Sequence, residues 1–186
     1  MPSFKSDRPI TFFKNRDRLP SIEDSLWLIV TGVVKTYTIA EDETATILGF
    51  WGDRDLVGKS LSNIEPYLLE CLTDVEAISI HRQKWQEMSD LIIRHGQQTQ
   101  LFVYIMRSSR VHKRLWMLLE WLANRFGKNT PKGKAINFKI THQELADAIG
   151  TTRITVTKIL SRFELEGLIY RPRNKFIINT NANTNS

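Results

Sequence analysis

The stretch ELADAIGTTRITVTKIL, residues 144–160, sets Arg153, Ile154, Thr157 and Lys158 on one side of a helix. Val156, Ile159 and Leu160, with Phe163 beyond them, fall on the other. A guanidinium such as that of Arg153 can donate in bidentate fashion to guanine O6 and N7, and an isoleucine can meet a thymine methyl group. A helical hairpin inside a core is the plainer reading of the same residues. Against it stands Ile154, an apolar side chain among Arg153, Thr157 and Lys158, a mixture that solvent alone does not explain.

Other stretches point less well to chemistry. GDRDLVGKS, residues 52–60, approaches the phosphate loop G-x-x-x-x-G-K-[ST], but one residue too many separates Gly52 from Gly58. The histidines His81, His95, His112 and His142 show no ligand spacing with one another or with Cys71. His95 lies on a helix where a haem or metal role has no sequence support. The lone Cys71 can form neither an internal disulfide nor a thiol pair and reads as a core thiol. Trp116 and Trp121 sit among leucines as core residues do. With no nucleophile–base pair and no metal cluster in view, no enzyme, cofactor or metal is expected.

The elements that must position the helix follow from local patterns. A helix-turn-helix needs a small residue in its first helix, a residue tolerant of positive φ at the turn, and apolar residues locking the second helix down. Ala146, Gly150 and Val156 supply these in order, with Leu145, Ile149 and Ile159 on the inner face. Thr141 and Glu144 form a capping box at the start of the first helix. GLIYRPRNKFIIN reads as two strands around a basic turn carrying Arg171, Arg173 and Lys175, a wing beside the helices. Before them, KNTPKGKA reads as a loop and INFKI as a short strand.

Upstream, SLWLIVTGVVKTYTI, TATILGFW and CLTDVEAISI read as short strands of a β-roll or barrel. From Gln83 the period becomes helical. Leu91, Ile92, Phe102, Ile105 and Met106 fall near heptad spacing through Ser109, and VHKRLWMLLEWLANRFG ends a second amphipathic stretch at Gly127. His95, Gln97, Gln98 and Thr99 interrupt the apolar seam and either meet an effector or set register. These patterns give an α+β chain: a cupin-like β-roll over 1–82, a dimerisation helix over 83–109, a winged helix-turn-helix over 110–180 and a disordered tail over 181–186.

Composition sets the partner class. The 186 residues are 41% hydrophobic and 25% charged, enough to bury a core, with a net charge of +6. That charge is divided unevenly. Residues 1–90 carry 10 Lys and Arg against 15 Asp and Glu, and residues 91–186 carry 16 against 5. The basic half concentrates polyanions around itself. No apolar run approaches the roughly 20 residues that span a bilayer, and the N-terminus lacks a signal-peptide stretch, so a cytoplasmic protein with no membrane partner is expected.

The run THQELADAIGTTRITVTKILSRFELEGLI, residues 141–169, resembles the winged helix of the cyclic-AMP receptor/fumarate-nitrate regulator (CRP/FNR) family, most closely its cyanobacterial nitrogen-control branch. SLWLIVTGVVKTY looks like the family's strand–glycine–strand element, and GDRDLVGKSLS like its phosphate cassette. The resemblance implies a β-roll sensor, a homodimer joined along the long helix through Leu91, Phe102 and Ile105, and a palindromic site on double-stranded DNA. RNA polymerase is a further implied partner.

By the same resemblance, Arg153 and Lys158 match base-contacting positions, with Ile154 and Thr157 beside them. Ile154 stands where several members carry a glutamate that reads cytosine. Thr141, His142, Gln143, Thr152 and Thr155 match phosphate-contacting positions, and His142 often corresponds to an arginine. Lys59 and Glu65 stand where cyclic-nucleotide binders place a glutamate and an arginine, so both charges are reversed and cyclic AMP is not expected to bind. Glu65 also replaces the arginine that holds 2-oxoglutarate in the nitrogen-control branch. Two readings remain from the sequence: a dimeric, site-specific transcription regulator, and an interaction module that binds nucleic acid or protein without sequence specificity.

Overall fold

The first half of the chain is built from short strands because its apolar residues alternate between two faces that are both covered. A computed structural model describes residues 9–172 and 175–179. The chain divides into two units, 1–100 and 101–186.

In the first unit, strands β1 (Ile10–Phe13), β2 (Ser25–Thr31), β3 (Val34–Ile39), β4 (Ala45–Trp51), β5 (Leu56–Val57), β6 (Leu68–Cys71) and β7 (Val75–His81) form two antiparallel sheets, β1-β7-β2-β5 and β4-β3-β6. Trp27, Ile29, Val57, Val75 and Ala77 point from the first sheet toward Val34, Trp51, Leu69 and Cys71 of the second, forming the core of the β-roll. Leu26, Leu28, Ile78 and Ile80, one residue out of phase, cover the opposite face of the first sheet. Short 3-10 turns at Arg82–Lys84 and Gln86–Met88 lead into helix α1 (Ser89–Met106), whose Leu91 and Ile92 close that second cluster.

Two expectations change here. CLTDVEAISI is not one strand but the last residue of β6 and most of β7, separated by Leu72, Thr73 and Asp74. The helical period begins at Ser89, after the 3-10 turns, rather than at Gln83. β1 and β5 are strands that the local pattern does not announce.

The second unit holds the last turns of α1, then α2 (Val111–Phe126), β8 (Gly127–Thr130), β9 (Gly133–Ile136), α3 (His142–Ile149), α4 (Arg153–Leu165), β10 (Ile169–Tyr170) and β11 (Ile177–Ile178). The strands form one sheet in the order β10-β11-β9-β8. Leu115, Leu118, Leu119, Leu122 and Ala123 give α2 a fully buried stripe. KNTPKGKA is a hairpin rather than a loop, with Lys128 opposite Ala135 and Asn129 opposite Lys134, and the strand foreseen at INFKI ends at Ile136. The tail at 181–186 lies outside the described residues.

Phe102 and Ile105 are buried inside this unit, at 5% and 3% exposure, with the Phe102 ring centroid 6.0 Å from that of Trp121. Together with Leu91, packed in the first unit, they form the inward side of α1. The outward side carries Ile93, Gln97, Gln100, Val103 and Tyr104. Heptad spacing reported a buried face correctly, but that face is covered by residues of the same chain.

Gly127 ends α2 with extended rather than left-handed backbone (φ −89°), so its role is not conformational freedom. A Cβ there would lie 2.2 Å from the Ala123 carbonyl oxygen, and backbone on both sides fixes the approach. Gly127→Ala should therefore destabilise the second unit by about 1–3 kcal/mol or more, through overpacking. A lowered urea midpoint at unchanged slope would record this.

Candidate nucleic-acid interface

The turn between α3 and α4 is held by backbone alone. The N–H groups of Gly150 and Thr151 both donate to the Ala146 carbonyl, and Gly150 adopts the left-handed conformation (φ 65°, ψ 58°) that its place in the motif requires. Ala146 is completely buried, so nothing larger separates the helices there. At the start of α3 the Thr141 hydroxyl accepts from the Glu144 N–H, and the Glu144 carboxylate accepts from the Thr141 N–H at 2.8 Å, completing the capping box. At the start of α4 the Thr152 hydroxyl accepts from the Thr155 N–H, and the two threonine hydroxyls lie 2.9 Å apart.

The faces of α4 separate as its sequence requires. Val156, Leu160 and Phe163 are buried, and Phe163 meets Trp116 edge-on with ring centroids 5.5 Å apart. Arg153, Ile154, Thr157 and Lys158 are all exposed, Ile154 at 68%. Burying a methyl-bearing side chain that water now surrounds is favourable, so this face gains by meeting an apolar group.

An open cleft of about 680 Å³ runs beside it, lined by Lys139, Thr141, His142, Gln143, Arg153, Arg171 and Glu164 with Ile140 and Phe176. It gathers three of the five residues expected at phosphates, Thr141, His142 and Gln143, with Arg153, expected at a base, and the wing residue Arg171. Thr152 and Thr155 sit at the N-terminus of α4 outside this lining. Arg173 lies outside the described residues. Lys175 is exposed, and its N–H donates to the Pro172 carbonyl at 3.0 Å.

Arg171 is not a bare cation. Its Nε donates to the Glu164 carboxylate at 2.9 Å, and a second nitrogen engages the same oxygen. Burial first, and then the charges of Arg171 and Arg153, hold His142 below the ordinary histidine range. Sequence reasoning passes over Lys139, Glu164 and Arg114. Arg114 donates from Nε to the Ile149 carbonyl at 3.1 Å and from a terminal nitrogen to the Ser108 carbonyl at 3.0 Å, so it caps the end of α3. Lone basic residues at α2 and before α3 carry no pattern that marks them.

The first unit is packed through the region around Lys59, Glu65 and His95. Lys59 pairs with Glu65 and donates to the Ile64 carbonyl at 3.0 Å. Lys59–Leu61 is a single 3-10 turn, not the long helix a phosphate loop opens. The Trp51 indole stacks on His95 (centroids 4.1 Å apart, planes at 10°) and donates to the Thr36 hydroxyl at 3.0 Å. His95 Nδ1 lies 2.9 Å from the Leu56 carbonyl, and burial lowers its pKa against the opposing pull of that bond and of Asp55. Asp55, 3% exposed, pairs with Arg94 at 3.6 Å and accepts from the Gly52 N–H at 2.7 Å. Burial, reinforced by Asp17, Glu70 and Asp74, pushes the Cys71 thiol up to about 12. Among the described residues no group of His, Cys, Asp or Glu is placed to hold a metal ion, and no helix is long and apolar enough to cross a membrane.

A capped helix, a left-handed glycine turn, a second helix with a mixed outer face and a small antiparallel sheet define a winged helix-turn-helix. Residues 109–182 match the Crp-like helix-turn-helix domain. Over 166 residues, 88% of this chain and 80% of the relative, the sequence is 34% identical to the regulatory protein CysR of Synechococcus elongatus. The chain belongs to the CRP/FNR family of transcription regulators, whose helix-turn-helix binds DNA. The global nitrogen regulator of the same organism is 36% identical over 72 residues, 39% of this chain and 32% of the relative. A CRP-family transcriptional regulator of Thermus thermophilus shares the fold, with a TM-score of 0.80 at 18% identity and 91% of each chain covered.

Proposed function

We propose that this protein is a dimeric, sequence-specific regulator that reads a palindromic DNA site through α4, with a sensor unit that does not bind cyclic AMP. The observation that carries the reading is the outer face of α4, where Ile154 stands exposed among Arg153, Thr157 and Lys158. In the major groove these side chains reach base edges, while Thr141, His142, Gln143, Thr152, Thr155 and the wing residues Arg171, Arg173 and Lys175 meet the backbone. RNA polymerase is the partner such a cytoplasmic regulator would address.

A second copy of the chain is the occupant proposed for the outward face of α1. Ile93, Gln97, Gln100 and Tyr104 follow one another at the alternating four- and three-residue spacing of a two-stranded seam, flanked by Leu101 and Val103. One face repeated on both partners is what a two-fold interface needs, and the two α4 helices would then sit roughly 34 Å apart, one turn of DNA.

Lys59 and Glu65 support the statement on cyclic AMP. They satisfy each other, so a nucleotide phosphate placed there would have to break an ion pair and face a carboxylate.

On a site selected from random duplexes, Arg153→Ala should cost about 1–3 kcal/mol and flatten preference at one base of each half-site. Equal losses on selected and random DNA would leave only the non-specific interaction module. Lys175→Ala, in contrast, should weaken binding to all sequences and lower the salt slope by about one.

Sedimentation separates the two faces of α1. Tyr104→Glu should give a folded monomer, whereas Phe102→Glu, which buries an unpaired charge, should unfold its unit. A dimeric Tyr104→Glu protein places the seam elsewhere.

Titration calorimetry with cyclic AMP should show no binding heat, and DNA affinity should not change with the nucleotide. Saturable micromolar binding would refute that part of the reading.

A further inference from the structure

The Thr157 hydroxyl has one proton, and it is donated to the Arg153 carbonyl 2.9 Å away, one turn back along α4. The same oxygen lies 2.8 Å from Nδ1 of His142 at the start of α3. A hydroxyl whose proton is committed can only accept, so Nδ1 carries the proton of the neutral imidazole and Nε2 carries none. The two nitrogens lie on opposite edges of the ring, which turns Nε2 away from Thr157.

Among the described residues, the charged groups that face this ring come from three segments. Arg153 approaches from α4, Arg171 from the segment after β10, and Lys139 from the segment before α3, all lining the same cleft. The Glu164 carboxylate in that cleft is engaged by Arg171. On α3 itself, Glu144 is engaged by Thr141, and Asp147 accepts from the Gln143 amide at 2.7 Å. Phe176 supplies the apolar wall, its ring centroid 6.4 Å from the imidazole's. The cleft is therefore cationic and the imidazole is partly buried in it, two conditions that favour the neutral ring.

We propose that His142 is a proton-coupled phosphate clamp: when a DNA phosphate enters the cleft, Nε2 takes a proton from solvent and donates it in a hydrogen bond to the phosphate, while Nδ1 keeps holding Thr157 on the recognition face. The proposal rests on the DNA-docking reading above. A phosphate adds negative charge to a cleft in which Lys139, Arg153 and Arg171 face the single carboxylate of Glu164, so the imidazolium is favoured in the complex and disfavoured in the free protein. Each subunit then binds up to one proton as it binds DNA.

The sign follows from linkage. Affinity is highest below the free-state pKa, where His142 is protonated with and without DNA, and falls as pH rises from there to the bound-state pKa. It levels off once the ring is neutral in both states, and between the two pKa values the loss is up to about tenfold per pH unit for each proton taken up.

The clamp grips phosphate rather than a base, so the probe is a random-sequence duplex, followed by fluorescence anisotropy at constant ionic strength from roughly pH 5.5 to 8, across the ordinary histidine range. The wild-type Kd should rise with pH, and that of His142→Gln should stay flat. His142→Arg, with a permanent charge, should bind tightly and without pH dependence, and it carries the same test should the glutamine variant fail to fold. In nitrogen NMR spectra of the free protein above neutrality, His142 should hold its proton on Nδ1, and Thr157→Val should release it toward Nε2. An equal pH slope in wild type and in the His142 variants overturns the clamp while leaving DNA docking intact. A wild-type Nε2–H tautomer overturns the Thr157 link. Failure to bind any duplex at any pH removes the docking reading and the clamp together.

Discussion

Two N–H groups, from Gly150 and Thr151, converge on the Ala146 carbonyl, and the direction in which α4 leaves α3 depends on that convergence. A side chain larger than alanine at 146 would push the helices apart, and a β-carbon at 150 would resist the left-handed turn. From this small knot the rest follows. Val156, Leu160 and Phe163 reach the interior, Trp116 receives Phe163, and Arg153, Ile154, Thr157 and Lys158 are left facing outward. The outer face is presented to solvent only because the inner face is fixed by packing that contributes several kcal/mol in total.

The acidic half of the chain has a different logic. Several of its charges are paired within the fold: Lys59 with Glu65, Lys35 with Glu70 at 3.4 Å, and Asp55 with Arg94 and the Gly52 N–H. Trp51 fills the space between sheet and helix by lying flat on His95 and Gly49, where a β-carbon would come within 2.7 Å of the indole. The unit keeps its two sheets while Lys59 and Glu65 meet one another. The basic half, by contrast, leaves Lys139, Arg153 and His142 around an open cleft.

Features that depend on a few adjacent residues were readable from the sequence. The capping box of Thr141 and Glu144, the left-handed Gly150 and the two faces of α4 each follow from local stereochemistry. Features that depend on distant chain were not. The break between β6 and β7 is set by Thr73, whose hydroxyl accepts the Val33 N–H at 2.9 Å across the roll, and no local periodicity encodes that. The polar composition of KNTPKGKA concealed a hairpin because its stability comes from pairing with β11, Ala135 opposite Ile177. The heptad of Leu91, Phe102 and Ile105 says that a face is covered but is silent on which chain covers it, and here the cover is intramolecular. Arg171 reads from its charge as a bare basic residue of the wing, while its partner Glu164 lies seven residues away in a different element.

Cys71 is the one thiol in the chain, sits at the end of β6 with no exposed surface, and has its ionisation pushed up to about 12. A thiol that is both inaccessible and protonated does not react with alkylating reagents or disulfides at neutral pH. Its labelling rate is therefore a clock for the opening of the β-roll core, with no competing signal from the helix-turn-helix. The protein carries a built-in single-site probe of whether an effector tightens or loosens its N-terminal half.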